Sequence, residues 1–236
     1  MAVKTGDRIM NLADSRIVIV ADGAFPRHRV PLAALDEADF IVCCDGAAAS
    51  LVEYGLEPAV IIGDLDSLEP TLAARFSDRL VKESDQETND LTKAVRWCVS
   101  RGAKGVTIVG ATGKREDHTL GNISLLADYG KIVRVKMLTD TGTMFPVYGD
   151  CDQVRDRQKG QISPEARKSS ISTNPGQRIS VVSLDSNTRL TATGLEYPIE
   201  DLLLESWWTA TLNTATGTRV TLTFTSARLI IYLGHV

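Results

Sequence analysis

Ala59-Val60-Ile61-Ile62-Gly63-Asp64-Leu65-Asp66-Ser67 decides how this chain is read. The apolar run is short and uniform, as in a strand buried on both faces. Gly63 lets the backbone turn as it leaves the sheet. Two aspartates then flank one leucine. In a parallel sheet, ligands bind at the carboxyl ends of the strands. Paired carboxylates there repel each other unless a cation sits beside them. Oxygen ligands select a hard ion, and Mg²⁺ takes one or two carboxylates plus phosphate oxygens. The segment reads either as a Mg²⁺–nucleotide site or as a solvated acidic turn, and alone it does not separate the two.

Outward from this segment, short apolar runs alternate with helical patterns. Strands are predicted at Arg16–Ala21, Phe40–Cys44, Ala59–Ile62, Arg79–Lys82, Gly105–Val109 and Val133–Leu138. Helices are predicted at Pro31–Ala38, Ala47–Tyr54, Pro70–Ser77, Asp90–Arg101 and Asp117–Tyr129. Leu91, Ala94, Val95 and Cys98 share one helix face, the spacing of a helix packed on a sheet. The alternation predicts a Rossmann-like parallel α/β domain over residues 1–143. Beyond Asp140 helical periodicity stops. Gly149 to Gly176 is polar and reads as a long loop with room for an edge strand. Arg178–Leu184, Arg189–Ala192, Thr209–Asn213, Arg219–Phe224 and Arg228–Leu233 then read as strands. A smaller antiparallel β-sandwich domain is expected over residues 144–236.

The chain has 236 residues and a net charge of −4, with no basic block, so no nucleic-acid partner is expected. No apolar stretch is long enough to span a bilayer, and Met1 to Ser15 lacks a signal-peptide layout; no membrane association and a cytoplasmic setting are expected. Cys43, Cys44, Cys98 and Cys151 show neither C-x-x-C nor zinc spacing and read as small hydrophobes.

Five strand ends carry polar loops: Ala21-Asp22-Gly23, Cys44-Asp45-Gly46, the opening aspartate segment, Ser84-Asp85-Gln86-Glu87-Thr88-Asn89-Asp90, and Gly110-Ala111-Thr112-Gly113-Lys114-Arg115-Glu116-Asp117-His118. If the strands are parallel, all five meet at one edge, gathering carboxylates around Lys93, Lys114 and Arg115. A Mg²⁺–polyphosphate complex would neutralise both signs. Asp90 and Lys93 share a helix face, as a local ion pair or as a metal ligand and a phosphate contact. Thr88 or Asn89 caps that helix and aims its anion-favouring N-terminus at the same edge. Thr112 and Gly113 belong to a backbone that can approach phosphates, though Lys114-Arg115 is not a Walker A ending. Arg115 suits phosphate oxygens. His118 reads as a helix-start hydrogen bonder and Asp117 as a cap. Trp207-Trp208 reads as packing at a domain contact or as a face for a flat, cationic ligand.

These loops, in this order, resemble the thiamine pyrophosphokinase family. That family's Asp-Gly-Gly/Ala-x, Gly-Asp-x-Asp-Ser, Gln/Asp-x-Thr-Asp-x-Thr-Lys and Gly-Ala-Thr-Gly-Gly-Arg-x-Asp-His elements correspond to Asp45–Ala48, Gly63–Ser67, Gln86–Lys93 and Gly110–His118. Gly194-Leu195-Glu196-Tyr197-Pro198-Ile199 resembles its later Gly-Leu-x-Tyr-Pro-Leu turn, and Asn213 lies near its Ser-Asn. Lys114 stands where the family has glycine, Glu116 where it has an apolar residue, and Leu212 where it has serine. The resemblance implies a homodimer that transfers the β,γ-diphosphate of ATP to thiamine. Asp64, Asp66 and Asp90 would hold Mg²⁺, with Lys93 and Arg115 completing the catalytic set. Asp45, Ser67, Gln86, Thr88, Thr112, Gly113 and Asp117 are expected around the nucleotide, and Asn213, Trp207 and Trp208 around thiamine. Two alternatives stay open: a pyrophosphokinase for another alcohol such as a hydroxymethylpterin, and a non-catalytic Mg²⁺–nucleotide sensor.

Overall fold

Val18, Val20, Cys43, Ile61 and Val109 alternate with residues facing the other side of a sheet, and both sets are buried. Such strands need helices on both faces, and the first unit, Met1–Asp140, supplies them. The computed structural model describes residues 11–85, 87–148, 150–151, 166–225 and 228–236. The chain runs β1 (Ile17–Val20), α1 (Arg29–Asp36), β2 (Phe40–Cys44), a 3-10 turn (Asp45–Ala47), α2 (Ala48–Tyr54), β3 (Val60–Gly63), α3 (Pro70–Arg75), β4 (Leu80–Lys82), α4 (Asp90–Ser100), β5 (Gly105–Val109), α5 (Glu116–Tyr129) and β6 (Arg134–Leu138). Strand order is β6-β5-β1-β2-β3-β4. Every pair is parallel, with Val18 opposite Ile41, Ile19 opposite Ile108, and Cys43 opposite Ile61. The order reverses between β1 and β5, the place where an open α/β sheet forms a crevice at its carboxyl edge. The predicted strands and helices of this unit are all present, with ends shifted by a few residues.

The second unit, Thr141–Val236, holds two antiparallel sheets around one core. Its strands are β7 (Gly142–Val147), β8 (Asp150–Cys151), β9 (Arg167–Ser172), β10 (Arg178–Ser183), β11 (Arg189–Thr193), β12 (Ile199–Leu203), β13 (Ala210–Thr214), β14 (Arg219–Phe224) and β15 (Leu229–Gly234). One sheet runs β13-β10-β15-β7, the other β12-β11-β14-β9-β8. Val181, Leu229 and Ile231 of the first meet Leu190, Leu222 and Phe224 of the second in a single apolar core, the sandwich expected from the sequence. Three strands escape the sequence reading. Pro146 interrupts the pattern of β7, β12 carries Glu200 and Asp201, and β9 buries only Ile171. Part of the polar stretch is thus strand: β8 is the edge strand for which that stretch has room, and β9 lies inside the same sheet; residues 149 and 152–165 lie outside the described residues.

No described helix is long and apolar enough to cross a membrane. Cys43, Cys44 and Cys98 are buried and free, as their sequence context indicates. The side chain of Cys151 lies outside the described residues.

Candidate active site

Where β1 and β5 end, the chain stitches their loops together. Ala21 N–H donates to Val109 O at 2.9 Å, Gly23 N–H to Gly110 O at 2.6 Å and Ala24 N–H to Thr112 O at 2.7 Å. Gly23 is obligatory here, because a Cβ would stand 2.4 Å from Gly110 O. Two further glycines make room for carboxylates. A Cβ on Gly46 would lie 2.6 Å from Asp22 Oδ2, and one on Gly63 would lie 3.0 Å from Asp45 Cγ. Each aspartate therefore fills the space left by the glycine at the end of the next strand.

The five loops converge on one cavity of about 520 Å³. Asp22, Asp45, Asp64, Ser67, Asp85, Thr88, Asp90, Lys93, Thr112, Lys114, Arg115 and His118 are among its lining residues. The N-terminus of α4 opens onto it. Asn89, not Thr88, caps this helix, accepting from Thr92 N–H at 2.9 Å. Lys93 is buried and its Nζ donates to Asp90 Oδ1 at 2.9 Å. Burial alone would lower the Lys93 pKa, but the Asp90 partner, with Asp64 and Asp85 beyond it, raises it above the ordinary value.

Asp45 is the most constrained carboxylate. It is 4% exposed, and its Oδ1 accepts from Gly46 N–H at 2.6 Å. Its Oδ2 is buried with no hydrogen-bond partner among the described residues. Burial, reinforced by the charges of Asp90 and Asp64, raises its pKa. Five aspartates line the cavity against Lys93, Lys114 and Arg115. An orphaned buried carboxylate oxygen inside an excess of negative charge suits a hard divalent cation. Among the described residues no three His, Cys, Asp or Glu side chains stand close enough to hold an ion alone. Oxygens of a ligand would have to complete its shell, as Mg²⁺ commonly requires.

The expected site residues divide into two groups. Asp45, Asp64, Ser67, Thr88, Asp90, Lys93, Thr112 and Arg115 share the cavity. Asp66, Gly113 and Asp117 are outside its lining. Leu65 takes a left-handed φ of 68°, which folds Asp66 N–H back onto Asp64 Oδ1 at 3.1 Å and leaves Asp66 exposed. Asp117 does not cap α5; Arg115 occupies that position. The Arg115 guanidinium grips the Asp117 carboxylate with Nε and a terminal nitrogen, and holds its pKa down at about 2. Gln86 lies outside the described residues. In the second unit Trp207 and Trp208 are exposed, Trp208 to 71%. Asn213 is buried, donating to Tyr197 O at 2.7 Å and accepting from Tyr197 N–H at 3.1 Å.

Asn122 is a lining residue that the sequence did not flag. It donates to Ala111 O at 2.9 Å and accepts from Asn89 at 3.3 Å, tying the β5 loop to the α4 cap. Nothing local to Asn122 signals this, because both partners come from other elements. Asp22, Asp85 and Lys114 were visible as members of charged loops but carried no assigned role.

Fold and cavity define a class: an α/β enzyme whose charged site lies at the carboxyl ends of parallel strands, followed by a β-sandwich. Comparison with known proteins narrows this. Residues 32–138 match the model of the thiamin pyrophosphokinase catalytic domain, and residues 160–232 match that of the thiamin pyrophosphokinase substrate-binding domain. Thiamine pyrophosphokinase of Bacillus subtilis is 30% identical over 156 residues, covering 62% of this chain and 72% of that protein. Thiamine pyrophosphokinase 1 of rice is 32% identical over 154 residues, covering 54% of this chain and 57% of that protein. The Bacillus subtilis crystal structure superposes with a TM-score of 0.71 at 22% identity, covering 92% of this chain and 98% of that one. The yeast enzyme's structure gives 0.70 at 16% identity, covering 96% and 88% respectively, and shares the fold. The chain belongs to the thiamine pyrophosphokinase family, a family of enzymes.

Proposed function

We propose that this chain moves the β,γ-diphosphate of ATP onto the hydroxyethyl oxygen of thiamine, releasing thiamine diphosphate and AMP. The new bond forms between that oxygen and the β-phosphorus, the α–β bridge breaks, and the hydroxyl proton is lost. The observation that carries this reading is the convergence of five strand-end loops, with both signs of charge, on one cavity.

Phosphoryl chemistry asks for positioning and charge neutralisation more than covalent help. Lys93 and Arg115 supply positive charge to the phosphates, and the N-terminus of α4 adds oriented N–H groups. Ser67, Thr88 and Thr112 offer hydroxyls around the nucleotide. Gln86, Gly113 and Asp117 belong to the same proposed shell. Asp64 and Asp90, with Asp45 beside them, would hold Mg²⁺, and Asp66 would join them from the exposed end of its loop. When bound, the ion neutralises charge developing on the phosphate oxygens.

Thiamine pairs a flat pyrimidine with a cationic thiazolium, so an aromatic face suits it. Trp207 and Trp208 are proposed as that face, supported by their exposure alongside Tyr197 and Leu212. Asn213 enters through the Tyr197 segment that it holds. Exposed apolar side chains in this number also support a homodimer. A cytoplasmic setting is part of the same reading, supported by three buried thiols that remain free.

The test is an acceptor panel. With ATP and Mg²⁺, thiamine should release AMP and yield equimolar thiamine diphosphate. AMP formed with a hydroxymethylpterin but not with thiamine would assign another acceptor. Nucleotide binding with no AMP from any alcohol would make the chain a sensor.

A further inference from the structure

Strand order brings Asp22 and Lys114 together from 92 residues apart. Asp22 follows β1 and Lys114 lies in the loop after β5, so the two sit at the reversal of strand order, where ligands enter an open α/β sheet. Lys114 Nζ lies 2.8 Å from Asp22 Oδ1, and both side chains line the cavity.

The backbone beneath them is fixed. Gly23 and Ala24 N–H groups are bonded to Gly110 and Thr112 carbonyls, so the two loops hold one spacing. Asp22 is also confined on its far side, where Oδ2 faces Gly46. Above this rigid base, Lys114 carries its ammonium on a flexible stem. Its side chain is 54% exposed and that of Asp22 48% exposed. A pair this wet contributes little to stability, so a ligand can take either partner at small cost. The other cavity cations are differently placed: Lys93 is buried on Asp90, and Arg115 is held by Asp117, which is outside the cavity lining. Lys114 alone among them pairs across the crevice with a half-exposed carboxylate.

We propose that Lys114 is a polyphosphate-binding residue and that Asp22 is its holding site. When the nucleotide enters, the ammonium leaves Asp22 Oδ1 for a phosphate oxygen. Asp22 therefore competes with the ligand for Lys114. This inference rests on the nucleotide reading of the cavity.

The competition gives the two residues opposite signs. The probe is the Mg²⁺ complex of an ATP analogue with a methylene α–β bridge, which the reaction cannot cleave, titrated by calorimetry into the full chain. Lys114→Met should weaken binding about tenfold, as loss of a charge-assisted phosphate contact does. Lys114→Arg should keep most of the affinity. Asp22→Asn should tighten binding by about threefold, by removing a competitor of the kind just described. Asp22→Asn placed on Lys114→Met should change nothing further, which separates competition for the lysine from a general gain of positive charge. A purely structural bridge would make both single variants weaker binders, and that result overturns the proposal. So does an unchanged affinity in Lys114→Met. A native chain that binds no analogue removes the nucleotide reading and this inference together. A native chain that binds it while Lys114→Met binds equally well removes only this inference. Both side chains are half exposed, so folding of each variant is checked by circular dichroism before titration.

Discussion

The two units place polar groups by opposite logic. In the first, all six strands run parallel, so every strand end opens onto the same edge and short motifs scattered along the chain collect in one cavity. In the second, neighbouring strands are antiparallel, and successive connections alternate between the ends of the sandwich. Its conspicuous residues are exposed aromatics, Tyr197, Trp207 and Trp208, rather than buried charges. Parallel topology turns sequence order into spatial convergence; antiparallel topology does not. The first unit is thus built to handle charge, while the second offers apolar surface around a tightly packed core.

The contrast breaks most sharply at Asp64. It is half buried in the cavity and accepts a hydrogen bond from the Asp66 N–H of its own turn, a local bond that does not hold the sheet. Asp64→Asn should lower kcat by roughly 10²–10³-fold, the scale of losing one preorganised charge-stabilising group. Its urea midpoint should stay near that of the native chain. Activity within tenfold of native would take Asp64 out of the chemistry and weaken the view that the parallel edge carries catalysis.

This asymmetry also governs what could be read in advance. Val60-Ile61-Ile62 followed by Gly63-Asp64 announced a buried strand and the turn that leaves it, because both features lie within a few residues, whereas a cavity at that turn could be inferred only from the other strand-end loops. Equally local are the cap of α4, placed in advance at Thr88 or Asn89 and found at Asn89, and Lys93 sharing a face with Asp90. Asp66 shows the limit of such reading: its sequence symmetry with Asp64 hides the left-handed Leu65 that leaves it outside the lining. Asn122 shows another, since its partners belong to distant elements. In the second unit, β12 escaped because Glu200 and Asp201 break the alternation expected of a half-buried strand, and Asp201 takes a φ of 45°. Asn213 was noticed for its resemblance to a family motif, yet its geometry is that of a brace.

That brace supplies the next largest effect, this time on stability. Asn213→Ala would strip the Tyr197 N–H and C=O of their side-chain partner at a part-buried position, costing about 1 kcal/mol. A lower urea midpoint, with the ATP dependence of any residual activity unchanged, is expected. An unaltered midpoint would mean that the Tyr197 segment is held by the sandwich without it.

Asp45 should do the reverse. Burial, with the neighbouring Asp90 and Asp64, raises its pKa from its ordinary value. The folded chain then holds this proton more tightly than the unfolded chain. Stability is therefore lost as pH rises from the ordinary carboxylate range through the raised value, and the deficit persists at neutral pH. Asp45→Asn abolishes the deficit. Stability at pH 7 should rise, read as a higher Tm than that of the native chain. The advantage should fade below about pH 4, where the carboxyl is protonated in both states. Thermal scans across that range check it; a destabilised variant at pH 7 would show that the Gly46 N–H bond outweighs the cost of burying charge.

The smallest effect separates the units by substrate. Trp208 is 71% exposed and its backbone carbonyl accepts from Thr211, so the fold uses its main chain and leaves its ring free. Trp208→Ala should change stability by less than about 0.5 kcal/mol, as exposed positions do. An indole stacked on a cationic ring contributes about 0.5–2 kcal/mol, so the KM for thiamine should rise about threefold to tenfold. The KM for ATP should hold, because the charged cavity of the first unit is untouched. Trp207 is 41% exposed and presents less free ring, so its alanine variant should shift the thiamine KM less. If both variants alter the ATP and thiamine constants equally, the division of labour between a charged edge and an aromatic surface fails. Such a result would place both substrates under the control of the parallel sheet alone.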